Sequence, residues 1–107
     1  MSKLIVPLKE RFFEMFKDGR KRWEFRGVSS KFNRETVRRG RKVELRKGYT
    51  KEALEGMIEE VKTVEGFEKL PENVKKSIVP ENSIDDFLED YRERYDEFIA
   101  FKVELKD

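Results

Sequence analysis

The sequence predicts a small α+β fold, a mixed β-barrel with short helices at its ends. Three observations lead there. Apolar runs rich in β-branched and aromatic residues open and close the chain, at Leu4-Ile5-Val6 and from Phe98 to Leu105. Two inner stretches, Lys21 to Arg26 and Arg41 to Arg46, alternate apolar and polar residues with the period of a strand. Between these runs lie stripes at helical spacing: Leu8, Phe12, Phe13 and Phe16, then Ile84, Phe87, Leu88 and Tyr91.

Each element has a local reason. Leu4-Ile5-Val6 reads as a short buried strand ended by Pro7. Residues 8–17 read as a helix that Asp18-Gly19 stops, with Gly19 as its C-terminal cap. In the strand from Lys21 to Arg26, Trp23 and Phe25 share a packed face, while Arg22, Glu24 and Arg26 share a polar one. Residues 27–40 form a polar loop with one helical turn around Arg34–Val37, and Gly40 turns the chain into a strand through Val43 and Leu45. The stretch that follows supports two readings. Leu54, Met57, Ile58 and Val61 fit a helix capped by Thr50 and running to about residue 60, whereas Gly56, Val61, Thr63, Val64 and Phe67 favour a strand. Pro71 starts a short helix that reaches Ile78, and Pro80 ends that segment. Ser83 caps the next helix, whose first turn holds Asp85 and Asp86 against the helix dipole. Phe98 to Leu105 is the last strand.

At 107 residues the chain makes one domain, residues 1–107. It has neither cysteine nor histidine. Thiol catalysis, zinc–cysteine sites and the histidine general base are thereby excluded, so chemistry must rest on Lys, Asp/Glu, Ser/Thr, Tyr or the backbone. Ser29, Ser30 and Ser83 have no histidine to activate them. No phosphate loop of the P-loop type is present. Asp85, Asp86, Glu89 and Asp90 splay over different faces of a helix, so neither metal nor cofactor is expected. Charged residues make up 45%, and glutamine is missing, a composition like that of heat-adapted proteins. No apolar run has the length of a membrane span or of a secretory signal. A cytoplasmic protein is expected, as a monomer in the simplest case.

The net charge of +2 hides an asymmetry. From Lys17 to Lys47, thirteen Lys/Arg stand against four Asp/Glu; from Glu81 to Asp107, four stand against ten. The two ends either neutralise one another across the fold or leave a basic field for a phosphate-bearing partner. The run Arg38-Arg39-Gly40-Arg41-Lys42 favours the second. Phe32 and Tyr49, in basic loops, either stack on nucleic-acid bases or fold back onto the core.

The densest chemistry lies in Gly19 to Arg26. Arg26 suits an oxyanion or phosphate bidentately, and Lys21 offers a point charge. Glu24 accepts protons, or acts as a base if burial raises its pKa. The same three residues also make a plain Glu–Arg pair on a solvated strand face. Arg22 stands within the same run, and Glu81 precedes the helix at Ser83 as a loop carboxylate.

Gly19-x-Lys21-x-x-Glu24-x-Arg26 matches the GxKxxExR motif of ASCH domains, small β-barrels related to the PUA domain. The order of elements resembles that family over nearly the whole chain. The resemblance implies a PUA-like barrel in which residues about 56–66 are a long strand, with 50–54 as loop or turn. It also implies a cleft beside the barrel that binds RNA or a nucleotide-like ligand, lined here by Lys21, Glu24, Arg26 and Glu81. The basic segment that holds Arg38, Arg39, Arg41 and Lys42 would then meet phosphates. Some members are amidohydrolases that deacylate N-acetylated cytidine through a lysine, a threonine and a distant glutamate. Lys21 matches the lysine and Glu81 resembles the glutamate, but Glu24 occupies the threonine position. A carboxylate there implies a base acting on water, with Lys21 stabilising the oxyanion. A ribonuclease is a further activity the resemblance implies.

Overall fold

The structure, a computed structural model, describes residues 2–48, 50–78 and 95–106. Strand β1 (Leu4–Leu8) is followed by helix α1 (Glu10–Lys17), β2 (Trp23–Gly27), β3 (Lys42–Lys47) and the long β4 (Ala53–Val64). A 3-10 turn (Phe67–Lys69), helix α2 (Glu72–Ile78) and β5 (Phe98–Leu105) complete the order. The five strands form one sheet in the order β1-β3-β4-β5-β2, and only the β1–β3 pair is parallel. The sheet curls into a half-barrel with short helices, a small α+β architecture.

Residues two apart in a strand share a face. The registers therefore place Val6, Leu45, Leu54, Ile58 and Phe101 together on the inner face, all but Leu54 fully buried. The opposite face of β1, β3 and β4 is open to solvent, where Ile5 and Met57 are exposed. Over β2 and β5 that outer face is covered. Phe25 stacks on Phe98 with ring centres 5.0 Å apart and meets Phe67 edge-on at 5.4 Å. The 3-10 turn that supplies Phe67 carries no apolar periodicity, and the sequence does not announce it. Helix α1 buries Phe12, Phe13, Met15 and Phe16, which together make one broad apolar face.

Several boundaries differ from the sequence reading for identifiable reasons. Pro7 lies inside β1, which its lack of an N–H permits because β1 is an edge strand. Leu8 consequently belongs to β1, and α1 begins at Glu10. Thr50 caps no helix; its hydroxyl donates to the Lys47 carbonyl at 2.7 Å and closes the β3–β4 turn. The long β4 settles the ambiguous stretch as strand, over Ala53–Val64 rather than about 56–66, so Ala53 and Leu54 belong to the strand and not to a loop. Its pairing with β5 slips between Ile58 and Glu60, leaving Glu59 as a one-residue bulge. The bulge reverses the alternation, so Leu54, Ile58 and Val61 all face inward at spacings of four and three. Those are helical spacings, which explains why the local pattern reads as a helix. The helix expected at Ser83 lies outside the described residues.

At Gly56 the backbone of β5 lies close against β4. A Cβ there would stand 2.6 Å from the Glu104 carbonyl oxygen and 2.8 Å from Val103 Cγ1. The carbonyl is backbone and cannot rotate away. Gly56→Ala is expected to lower stability by ~1–3 kcal/mol. A urea midpoint equal to that of the parent protein would show that this approach is not enforced.

Candidate functional site

Two local devices place Lys21. The α1 helix ends in a turn in which Gly19 takes φ +86°, a left-handed conformation that glycine adopts without strain. The Lys21 N–H then donates to the Met15 carbonyl at 3.0 Å, which anchors the residue before β2 begins. Its side chain enters a slot between Phe12 and Phe16, the ammonium lying 5.3 and 5.4 Å from the two ring centres. It donates to the Ile78 carbonyl at the end of α2 at 2.5 Å. The next residue reinforces that contact, because the Arg22 N–H reaches both the Ser77 carbonyl and the Ser77 hydroxyl. Lys21 is 1% exposed.

Glu24 and Arg26 lie on β2 opposite Phe101 and Ile99 of β5, and so share the inner face of the half-barrel. The Glu24 carboxylate is 4% exposed and its oxygens are divided. Oε1 accepts the Phe25 N–H at 2.9 Å and lies 3.6 Å from the Lys21 ammonium. Oε2 accepts both Nη2 and Nε of Arg26, at 2.8 and 3.2 Å. Arg26 also donates through Nη2 to the Pro7 carbonyl at 2.6 Å. That contact joins β2 to β1, the two free edges of the sheet. The guanidinium lies 4.9 Å from the Phe32 ring centre, a cation–π contact that also holds its plane.

Burial pushes the Lys21 ammonium down to about 8, against the pull of the Glu24 carboxylate, while Arg26 adds to the lowering. Burial acts the other way on Glu24, but the charges of Arg26 and Lys21 outweigh it, and its carboxyl titrates below the usual range. Glu24 is thus a held anion with both oxygens engaged. Lys21 is a cation close to losing its proton, the one member of the cluster with a proton to exchange near neutral pH.

The expectation of a solvated Glu–Arg pair is therefore corrected: these polar residues point into the sheet. Phe32 is corrected too, being 7% exposed and stacked on Phe101 at 6.3 Å rather than offering a face to a base. The basic residues do not form one patch. Arg38 and Arg39 line an open depression of about 640 Å³ with Arg34, Glu59 and Thr63. Arg22 lines a second, of about 520 Å³, beside Lys17, Glu59 and Lys102. Lys42 lines a third, of about 720 Å³, with Lys3 and Met57 on the open outer face. Arg41 acts as a brace, donating to the Thr36 carbonyl at 2.6 Å and to the Ser2 carbonyl. Glu81 and Tyr49 lie outside the described residues. Among the described residues no three acidic side chains gather as metal ligands, and no helix is long and apolar enough to cross a membrane.

Sequence reasoning missed the carbonyls of Pro7 and Ile78 and the aromatic slot. A backbone acceptor leaves no trace in residue identity. Phe12 and Phe16 were visible as an apolar stripe, and only the fold turns two of its members toward a lysine.

No family model matches the chain, and no curated protein matches its sequence. Solved structures do match its shape. The crystal structure of hypothetical protein PH0355 superposes with a TM-score of 0.74 at 22% identity, covering 98% of this chain and 100% of that one. The solution structure of protein PF0455 from Pyrococcus furiosus gives 0.67 at 20% identity, covering 99% of each chain. The crystal structure of ASCH from Zymomonas mobilis gives 0.68 at 16% identity, covering 96% of this chain and 66% of that one. At these identities the likeness is one of fold, and it runs from end to end of the chain. The fold of this protein is that of the ASCH domain.

Proposed function

We propose that the protein is an ASCH-type module that binds RNA or a nucleotide-like ligand at the Lys21–Glu24–Arg26 cluster. The observation that carries this reading is a cluster of three charged side chains in a small half-barrel, with Lys21 and Glu24 buried and Arg26 part-buried beside them. Withdrawing such charges from water costs more than an apolar substitute would, so stability alone does not account for them. A ligand oxygen at the part-exposed Arg26 gives the cluster a use, since Arg26 carries strong donors and Glu24 and Lys21 hold it in place. The asymmetry of charge along the chain supports an anionic partner.

One observation favours a second reading, the deacylation of N-acetylated cytidine. A lysine that titrates near 8 changes protonation state where enzymes work. Glu24, held by Arg26 and depressed in pKa, is poorly suited to act as the base. In this reading Lys21 and Glu81 share the proton transfers, and Glu24 positions Lys21.

The two readings make opposite predictions about pH. If the Lys21 cation holds an anionic oxygen, affinity for cytidine 5′-monophosphate falls as pH rises through about 8, because the charge is lost there. If neutral Lys21 is a base, hydrolysis of N-acetylcytidine rises over the same interval. Lys21→Arg keeps its charge throughout and should flatten the first profile and abolish the second. A binding profile flat across this range in the parent protein would remove Lys21 from anion binding.

The cluster can also be separated from folding. Glu24→Ala strands the buried Lys21 and takes a partner from the part-buried Arg26, and is expected to cost ~3 kcal/mol in chemical denaturation. Replacing all three residues at once, by Lys21→Met, Glu24→Leu and Arg26→Met, should restore most of that stability while weakening binding of single-stranded RNA at least tenfold. Binding undiminished in the triple variant would show that the ligand sits elsewhere.

A further inference from the structure

The depression lined by Arg34, Arg38 and Arg39 belongs to no part of the buried cluster, yet it is built. The loop that supplies the arginines is pinned from within. The Asn33 side chain donates to the Ser29 and Ser30 carbonyls at 2.9 and 3.2 Å and accepts the N–H groups of Glu35 and Thr36. The Val37 N–H closes one helical turn onto the Asn33 carbonyl at 2.8 Å, and the Val37 side chain is 1% exposed. Three guanidiniums are thus presented from a short segment with its backbone already fixed, which reduces the entropy lost when a ligand binds.

Two carboxylates, Glu59 and Glu60, also line this depression. Each has its own lysine outside the lining: Glu59 lies 3.6 Å from Lys102, and Glu60 lies 3.4 Å from Lys62. Arg34 bonds a neutral group, the Thr63 hydroxyl. Among the lining residues and these two lysines, cations outnumber carboxylates, so the local field is positive. The sheet register fixes where this field stands. Arg26 pairs with Ile99, and Ile99 pairs with Thr63, so Thr63 is two strands from Arg26 on the same face. Two inter-strand steps separate them by ~10 Å.

We propose that Arg34, Arg38 and Arg39 form a phosphate subsite for single-stranded RNA, one β5 strand away from the buried cluster. The proposal rests on the ligand-binding reading of Lys21 and Arg26 and specifies its ligand as a strand with several phosphates. A nucleoside would engage the cluster alone. A mononucleotide would reach one of the two regions, and a strand would reach both. Guanidiniums suit phosphate oxygens because their paired N–H groups match them in spacing.

The test is the salt dependence of binding to a short labelled single-stranded RNA, followed by fluorescence anisotropy in the full chain. Three proteins are compared: the parent, the variant Arg34→Gln, Arg38→Gln, Arg39→Gln, and Lys21→Met. The three arginines are exposed, so the Gln variant should keep the parent's melting temperature. Its plot of log K against log salt should be shallower by about 2, the share of three phosphates on a single strand. Lys21→Met should weaken binding and lower the slope by less than about 1, the share of a single phosphate. Competition by cytidine 5′-monophosphate and by polyglutamate completes the set, and RNA should displace the probe far better than either. A slope unchanged in the Gln variant overturns the subsite while leaving the cluster reading intact. A slope lost in the Gln variant with binding unaltered in Lys21→Met keeps the subsite and removes the cluster. Polyglutamate competing as well as RNA overturns the assignment to nucleic acid, and no RNA binding by the parent overturns both.

Discussion

Two cations and one carboxylate, Lys21, Arg26 and Glu24, meet inside a half-barrel, and much of the local geometry follows from how the carboxylate divides its oxygens. One oxygen faces Lys21 and the Phe25 amide; the other takes both donors of the Arg26 fork. Each cation then has donors left for a backbone carbonyl on another element. Lys21 reaches the end of α2 and Arg26 reaches β1. A five-residue strand is thereby tied on one side to a helix and on the other to the opposite edge of the sheet. The same arrangement removes Glu24 from proton transfer and leaves Lys21 as the group that can change state. Hydrogen bonds to charged groups are stronger than neutral ones, and so a few of them suffice.

The strands were largely legible because their apolar residues alternate. β3 and β5 differ from their sequence reading by a residue or less. β4 shows where such reading fails. A single inserted residue at Glu59 converts a period of two into spacings of four and three, and nothing in the residue types separates that from a helix. Family resemblance corrected what periodicity could not, since the bulge is a property of pairing with β5. The fate of Glu24 and Arg26 was illegible for a related reason. Alternation shows which residues share a face of β2, but not that a curled sheet buries both faces. The Gly19–Arg26 stretch could be singled out because lysine, glutamate and arginine fall at close spacing around a turn glycine. The partners that define it, Ile78 and Pro7, act through carbonyls common to every residue.

Charge density along the chain likewise proved a poor map of charge in space. The basic third of the sequence is folded around three separate depressions, and one of its arginines serves as a brace. Strand alternation alone guarantees some division, because neighbours in sequence point to opposite faces. What survives as a concentrated field comes from the loop, where one helical turn brings Arg34 and Arg38 to the same side.

Pro7 has a consequence beyond the closure of the barrel. A sheet edge with free N–H and C=O groups is a template for strands of other molecules. In a strand the N–H and C=O of one residue point to the same edge, and at Pro7 the first is missing while the second is taken by Arg26. At Pro7, β1 therefore offers an incoming strand no donor, and its acceptor is already taken. An arginine whose charge is anchored on Glu24 thus doubles as a guard against edge-to-edge aggregation, a hazard that grows with temperature for any chain that exposes an open sheet.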